Sequence, residues 1–133
     1  MNSKSGVKAA MDIKIVVGHV ALEAELNDTP TAKKVAGVLP LNLLFNTWGD
    51  EIYFEIPVQA ELDESAREWV AIGELGYWPP GRAFCIFFGP TPMSTAEKIV
   101  PASPVNIIGM VKGDASRLKD VMDAGRIVVE ASV

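Results

Sequence analysis

Cysteine and histidine are nearly absent from this chain: Cys85 is the single thiol and His19 the single imidazole in 133 residues. One cysteine excludes an intrachain disulfide, and an isolated thiol fits a reducing compartment. One histidine makes neither a triad nor a metal site, which needs several clustered ligands. No metal and no cofactor is therefore expected. Positive charge is also short. Twelve Lys and Arg residues stand against 17 Asp and Glu, a net charge of −5, and the basic residues are scattered, with Lys33-Lys34 the densest pair. That balance argues against nucleic acid or an anionic membrane surface as partner, because both require a basic footprint. No apolar run reaches the ~20 residues of a spanning helix. Lys4 and Lys8 are not followed by the apolar core of a signal peptide, so a cytoplasmic location is expected. Internal repeats and low-complexity tracts are missing as well.

What is present is ordinary globular material, 49% hydrophobic and 22% charged, at the length of a single domain that buries its own core. Ser3, Ser5 and Gly6 mark residues 1–11 as a flexible leader, and residues 12–133 form the domain.

The pattern along that domain is mainly β. Ile13, Ile15 and Val17 alternate with polar residues; Gly18-His19 makes a turn, and Val20, Leu22, Ala24 and Leu26 alternate again, which is a hairpin with one wet face. Thr29-Pro30 reads as a helix start, and Ala32, Val35, Ala36 and Leu39 share one helical face up to Pro40. Leu41 to Thr47 is a strand, and Glu51 to Val58 is the cleanest alternation in the chain. Glu61 to Glu68 reads as a solvated acidic connection, and Arg67 to Ile72 as a further strand. Gly73 to Gly81 is too rich in Gly and Pro for regular structure, with Pro80-Gly81 suited to a type II turn. Ala83 to Phe88 is apolar on both faces and is expected to be a buried central strand. Val105 to Val111 is a strand in which Gly109 marks a bulge or a close backbone approach. Asp114 caps a second helix that Gly125 ends, and Arg126 to Ala131 is the last strand. About eight short strands with two widely separated helices fit a closed barrel better than a βαβ sheet.

Three segments carry a family resemblance: Asn46 to Phe54 (NTWGDEIYF), Gly76 to Gly81 (GYWPPG) running into Phe87 to Met93 (FFGPTPM), and Pro101 to Gly109 (PASPVNIIG). With the element order, they make the chain similar to the small cyclophilin-like proteins of bacteria and archaea, over essentially everything after Met11. The resemblance implies a closed, eight-stranded, cyclophilin-like barrel with two helices. Val105 to Gly113, followed by a helix, also resembles the late strand of the true cyclophilins, and Phe84 to Phe88 their buried aromatic strand. The isomerase pattern of those enzymes (Phe-His-Arg, an aromatic and Gln, a later His) is missing: the first region reads Asn46-Thr47-Trp48-Gly49, and the late His position falls near Val105. The resemblance therefore implies the fold and leaves prolyl isomerisation in doubt.

Candidate site residues follow from chemistry and placement. Asn46, Thr47, Trp48, Asp50 and Glu51 put an amide, a hydroxyl, an indole and two carboxylates into one turn, either as the polar rim of a cleft or as a structural corner. Glu51, with Tyr53 nearby, suits acid–base work if aromatic neighbours desolvate it; the plain alternative is a solvated strand-edge carboxylate. Tyr77 and Trp78 lie in a Gly/Pro segment where periodicity does not require aromatics, and offer a shelf for a planar ligand or a proline ring, or else a lid on the barrel. Thr91-Pro92 and Ser103 to Asn106 frame the same end in loops stiffened by proline. Arg82 is expected to pair with Glu74, and Cys85, mid-strand among apolar residues, to be inert. The expected function is binding of a small organic molecule or short peptide, by a monomer or homodimer, with divergent prolyl isomerase as the alternative.

Overall fold

The computed structural model describes residues 9–132. Strand β1 spans Ala9–Val17, so the sheet takes up residues 9–11, which the sequence reading gives to the leader. Residues 1–8 lie outside the described residues. Val17 pairs with Val20 across Gly18-His19, where Gly18 has φ 56°, the left-handed backbone that a two-residue hairpin turn demands. Strand β2 (Val20–Asn27) returns with a strict in/out burial alternation. Helix α1 (Pro30–Ala36) starts on Thr29, whose Oγ1 accepts from the Ala32 amide at 3.3 Å, and buries Ala32 and Val35.

The remaining strands are β3 (Leu41–Leu44), β4 (Asn46–Thr47), β5 (Glu51–Glu55), β6 (Ala66–Arg67), β7 (Glu74–Trp78), β8 (Ala83–Phe87), β9 (Val105–Val111) and β10 (Arg126–Ala131). They run in the order β3-β10-β1-β2-β9-β7-β8-β5-β4, with β6 paired to β9. The two edges of that path are pieces of one segment. Only Phe45 separates β3 from β4, and its amide donates to the Gly125 carbonyl at 2.9 Å. Residues 41–47 thus pair with β10 at one end and with β5 at the other, which closes the sheet and leaves no long free edge. With β3 and β4 taken as one strand and β6 as a two-residue flap, eight principal strands form the wall.

Strand β8 shows why both faces of Ala83 to Phe87 are apolar. Phe84 and Ile86 point into the barrel with Ile52, Phe54, Leu75 and Ile108, and the Phe54 and Phe84 rings stack at 5.2 Å. Ala83, Cys85 and Phe87 point outward into a second, smaller core with Val70 and Val105, against which Tyr53, Trp78, Ile99 and Ile107 pack. The barrel therefore carries a covered patch on its outer wall.

Three expectations are corrected. Gly73 to Gly81 is not irregular: β7 lies in the middle of the sheet, between β9 and β8. Its Gly76 is required by packing, since a Cβ there would meet Val105 Cγ2 at 3.0 Å and the Phe87 ring at 3.3 Å. Pro79–Gly81 is one 3₁₀ turn rather than a type II turn, and the left-handed backbone falls on Arg82 (φ 48°). Gly81 is instead glycine because Trp78 lies over it, with ring atoms 2.7 Å from where a Cβ would sit. Arg67 to Ile72 forms no continuous strand, only the end of β6 and an isolated Val70–Ile99 bridge. The second helix stands where expected, as a 3₁₀ helix (Ala115–Val121) capped by Asp114, which accepts from the Ser116 amide at 3.0 Å.

Candidate functional site

Glu51 and Tyr53 occupy alternate positions of β5, opposite Phe87 and Cys85 of β8, and so face outward with them. The turn before them is tightly built. The Trp48 amide donates to the Glu51 carbonyl at 3.0 Å, Asp50 donates to the Pro90 carbonyl at 2.9 Å, and Phe88 donates back to Asp50 at 3.0 Å. Gly49 sits at φ 62°, and a Cβ there would meet the Pro90 carbonyl oxygen at 2.8 Å, so only glycine passes between turn and loop. Across the patch, Trp78 ends β7 and its Nε1–H donates to Ser103 Oγ at 2.6 Å. Pro101, Ala102 and Val105 lead into and begin β9. Together Trp48, Glu51, Tyr53, Trp78, Pro101, Ala102 and Val105 line an open cleft of about 190 Å³.

The electrostatics of this cleft centre on Glu51. Its side chain is buried, with the residue only 6% exposed, and among the described residues no cation pairs with it. Burial raises its carboxyl from the ordinary 4.5 to about 7, with a smaller opposing pull from the Cys85 thiol. Cys85 is fully buried; desolvation and the neighbouring Glu51 push its thiol well above the ordinary range, which makes it inert as a nucleophile, as expected. The Cys85 Sγ lies 3.7 Å from the Ala83 carbonyl oxygen. Glu51 is therefore a carboxyl poised near neutrality in an apolar, aromatic hollow, not the solvated strand-edge group of the plainer sequence reading.

Of the residues singled out from the sequence, Trp48, Glu51, Tyr53 and Trp78 meet at the cleft, and Ser103 fixes the Trp78 ring from behind. Asn46 and Thr47 are exposed and lie outside the lining; Asn46 pairs with Tyr53 and Thr47 with Ile52. Thr91 holds its loop together rather than lining the cleft: its hydroxyl donates to the Val100 carbonyl and its amide to Ser94 Oγ at 2.9 Å. Pro92 is exposed and packs beside Gly49.

Tyr77 and Asn106 face the opposite side of the wall. Tyr77 is fully buried and donates to the Val58 carbonyl at 2.6 Å. Asn106 is also fully buried. Its Nδ2 donates to Thr31 Oγ1 at 3.0 Å and to the Glu61 carbonyl at 2.9 Å, while Oδ1 accepts from the Asp63 amide at 2.9 Å. The reason is the period of two: on β7 and β9 the cleft takes Trp78 and Val105, so their neighbours Tyr77 and Asn106 must point inward. Val105 lies in the Ser103 to Asn106 stretch expected to frame the site, and strand alternation selects it for the cleft; Pro101 and Ala102 line the cleft without having been singled out, since no periodicity marks them in their loop.

Asp63 is likewise more than a wet carboxylate. It accepts from Thr31 Oγ1 at 2.7 Å and from Ser65 Oγ and N, and these hydrogen bonds hold its pKa below the usual range against the opposing effect of burial. Arg82 makes no ion pair with Glu74, whose Oε1 accepts from the Ala71 amide at 2.8 Å at the far end of β7. Arg82 instead borders a second hollow of about 480 Å³ with Pro79, Pro80, Ser103 and Pro104. Among the described residues no cluster of three metal-ligating side chains occurs, and no helix is long and apolar enough to cross a membrane.

Comparisons with known proteins match this architecture. A family model described as cyclophilin-like covers residues 11–130. The solution structure of a hypothetical protein from Archaeoglobus fulgidus is 39% identical, with a TM-score of 0.77, over 94% of this chain and 98% of that one. A second solved structure, McbB in complex with tryptophan, shares the fold at a TM-score of 0.65 but only 17% identity, over 89% of this chain and 44% of that one. No curated protein matches the chain. From the family match, the archaeal relative and the closed eight-stranded wall, the chain belongs to the cyclophilin-like family.

Proposed function

We propose that the chain binds a small organic molecule, or one side chain of a short peptide, in the outer-wall cleft between Trp48 and Trp78. The observation that carries this reading is the convergence of two indoles, a phenol and a buried, unpaired carboxyl on one hollow. Size sets the scale of the ligand. Pockets for drug-sized molecules run to roughly 300–1,000 Å³, while a cavity of roughly 150 Å³ holds a benzene ring. At about 190 Å³, this cleft takes one ring or one branched alkyl group. Pre-formation favours binding: the Trp78–Ser103 hydrogen bond and the Gly49 turn hold both walls in place, so little ordering cost remains.

The isomerase alternative rests on the family fold and on the aromatic buried strand Phe84 to Phe88. None of the lining residues is an arginine, glutamine or histidine, so a protease-coupled assay on an Ala-Pro peptide is expected to run at the blank rate. The binding reading is tested by thermal-shift screening with single-ring and branched alkyl compounds, since a ligand of the folded state raises the melting temperature. Trp78→Ala is expected to abolish the shift given by any hit. Hits that shift Trp78→Ala and wild type equally would place binding elsewhere and overturn the proposal.

A further inference from the structure

We infer that the occupant of the cleft is a cation of the substituted-ammonium class, held by the faces of Trp48, Tyr53 and Trp78 over the Glu51 carboxylate. This inference deepens the binding reading above and rests on it. Three aromatic side chains and one carboxyl surround a space the size of a small alkylammonium group, the combination in which ring quadrupoles and a desolvated anion favour a cation whose charge is spread over alkyl groups. Glu51 lies among the lining residues, more than nine-tenths buried, and is without an ion-pair partner among the described residues. A buried anion in that state is costly unless paired, and the cleft offers the place for the missing positive charge. Among the described residues no lysine or arginine lines the cleft to compete with it. An ordinary small ammonium ion keeps its hydration shell and would gain less than one wrapped in methyl groups, which the apolar contributions of Pro101, Ala102 and Val105 suit.

The groups facing Glu51 from each packed element are few. Cys85 and Phe87 come from β8, Tyr53 from its own strand, Trp48 from the turn before it, Trp78 from β7, Val105 from β9, and Pro101 and Ala102 from the preceding loop. None of these carries a charge at neutral pH, so ionisation of Glu51 alone switches the charge of the cleft. With a carboxyl titrating at about 7, its ionised fraction rises about tenfold from pH 6 to pH 8, and affinity for a permanent cation rises by the same factor.

The test is a titration with choline and with 3,3-dimethyl-1-butanol, its uncharged carbon isostere, followed by tryptophan fluorescence and calorimetry. Choline is expected to bind, about tenfold tighter at pH 8 than at pH 6, and the isostere to bind at least tenfold more weakly at pH 8. Glu51→Gln is expected to remove the pH dependence and the preference for charge. Equal binding of choline and isostere, or choline affinity independent of pH in the wild type, would overturn the cation inference while leaving the cleft as a binding site. Binding of either compound that survives Trp78→Ala unchanged would overturn both.

Discussion

At the scale of single residues, burial decides what each polar group does, and it separates two that look alike in sequence. Asn106 is a fully satisfied structural amide whose three hydrogen bonds tie β9 to α1 and to the 61–63 segment. Asn106→Ala strands the Asp63 amide and the Glu61 carbonyl, and is expected to cost on the order of 2–4 kcal/mol in urea unfolding. A loss below about 0.5 kcal/mol would contradict that role. Glu51 is the opposite case, a buried carboxyl without an ion-pair partner among the described residues and with only the Cys85 thiol pulling against its burial. Its carboxyl titrates at about 7 in the folded protein against 4.5 ordinarily. Between those values the unfolded chain gives up its proton while the folded one keeps it, so stability falls as pH rises through that window and levels off above it. The difference corresponds to roughly 3 kcal/mol. Wild type is expected to lose most of that between pH 4.5 and pH 8, and Glu51→Gln to lose none of it; parallel pH profiles for the two proteins would refute the assignment. The identity of Glu51 as a candidate was legible in the sequence. Its burial was not, because the walls that enclose it, Trp78 and residues 101–105, come from strands and loops far away in the chain.

At the scale of elements, alternation proved the more reliable guide and composition the less reliable one. The hairpin of β1 and β2, the cap at Thr29 and the two-faced β8 all follow from local pattern. Strand β7 did not, because Gly76, Pro79, Pro80 and Gly81 suggest a loop by composition. Gly76 is a packing glycine beneath Val105 and Phe87, and Gly81 makes room for the Trp78 ring; both roles are tertiary and invisible in a single sequence. Gly109 was legible as a site of close approach. A Cβ at that position would run into the carbonyl oxygen of Glu25 on β2, and the β7–β9 register shifts nearby, between Leu75 and Gly76. Gly109→Ala must therefore push β2 and β9 apart. It is expected to cost about 2–4 kcal/mol and to speed amide exchange at Met110 and Lys112 in particular, whose amides face β2 across the seam, that of Lys112 donating to the Glu23 carbonyl. Unchanged exchange at those amides would show that the two strands do not depend on the missing side chain.

At the scale of the whole molecule, closure of the wall creates the site. Residues 41–47 pass from β10 to β5 and seal the barrel, which fixes the turn at Trp48 and the outward face of β5. With the interior filled by its own side chains, the hollow between Trp48 and Trp78 lies on the outside, over the second core. The fold class and the segments surrounding that hollow could be read from sequence. The face of each strand that lines it could not, since register between β5, β8, β7 and β9 decides it. Binding in that hollow turns on one group held in one environment, and the direct measurement is the ¹³C NMR titration of the Glu51 side-chain carboxyl in the folded protein. A midpoint near 7, moving downward when the cleft is saturated with choline, is the result expected. A midpoint near 4.5, unmoved by any ligand, would mean a solvated carboxylate and no enclosed site.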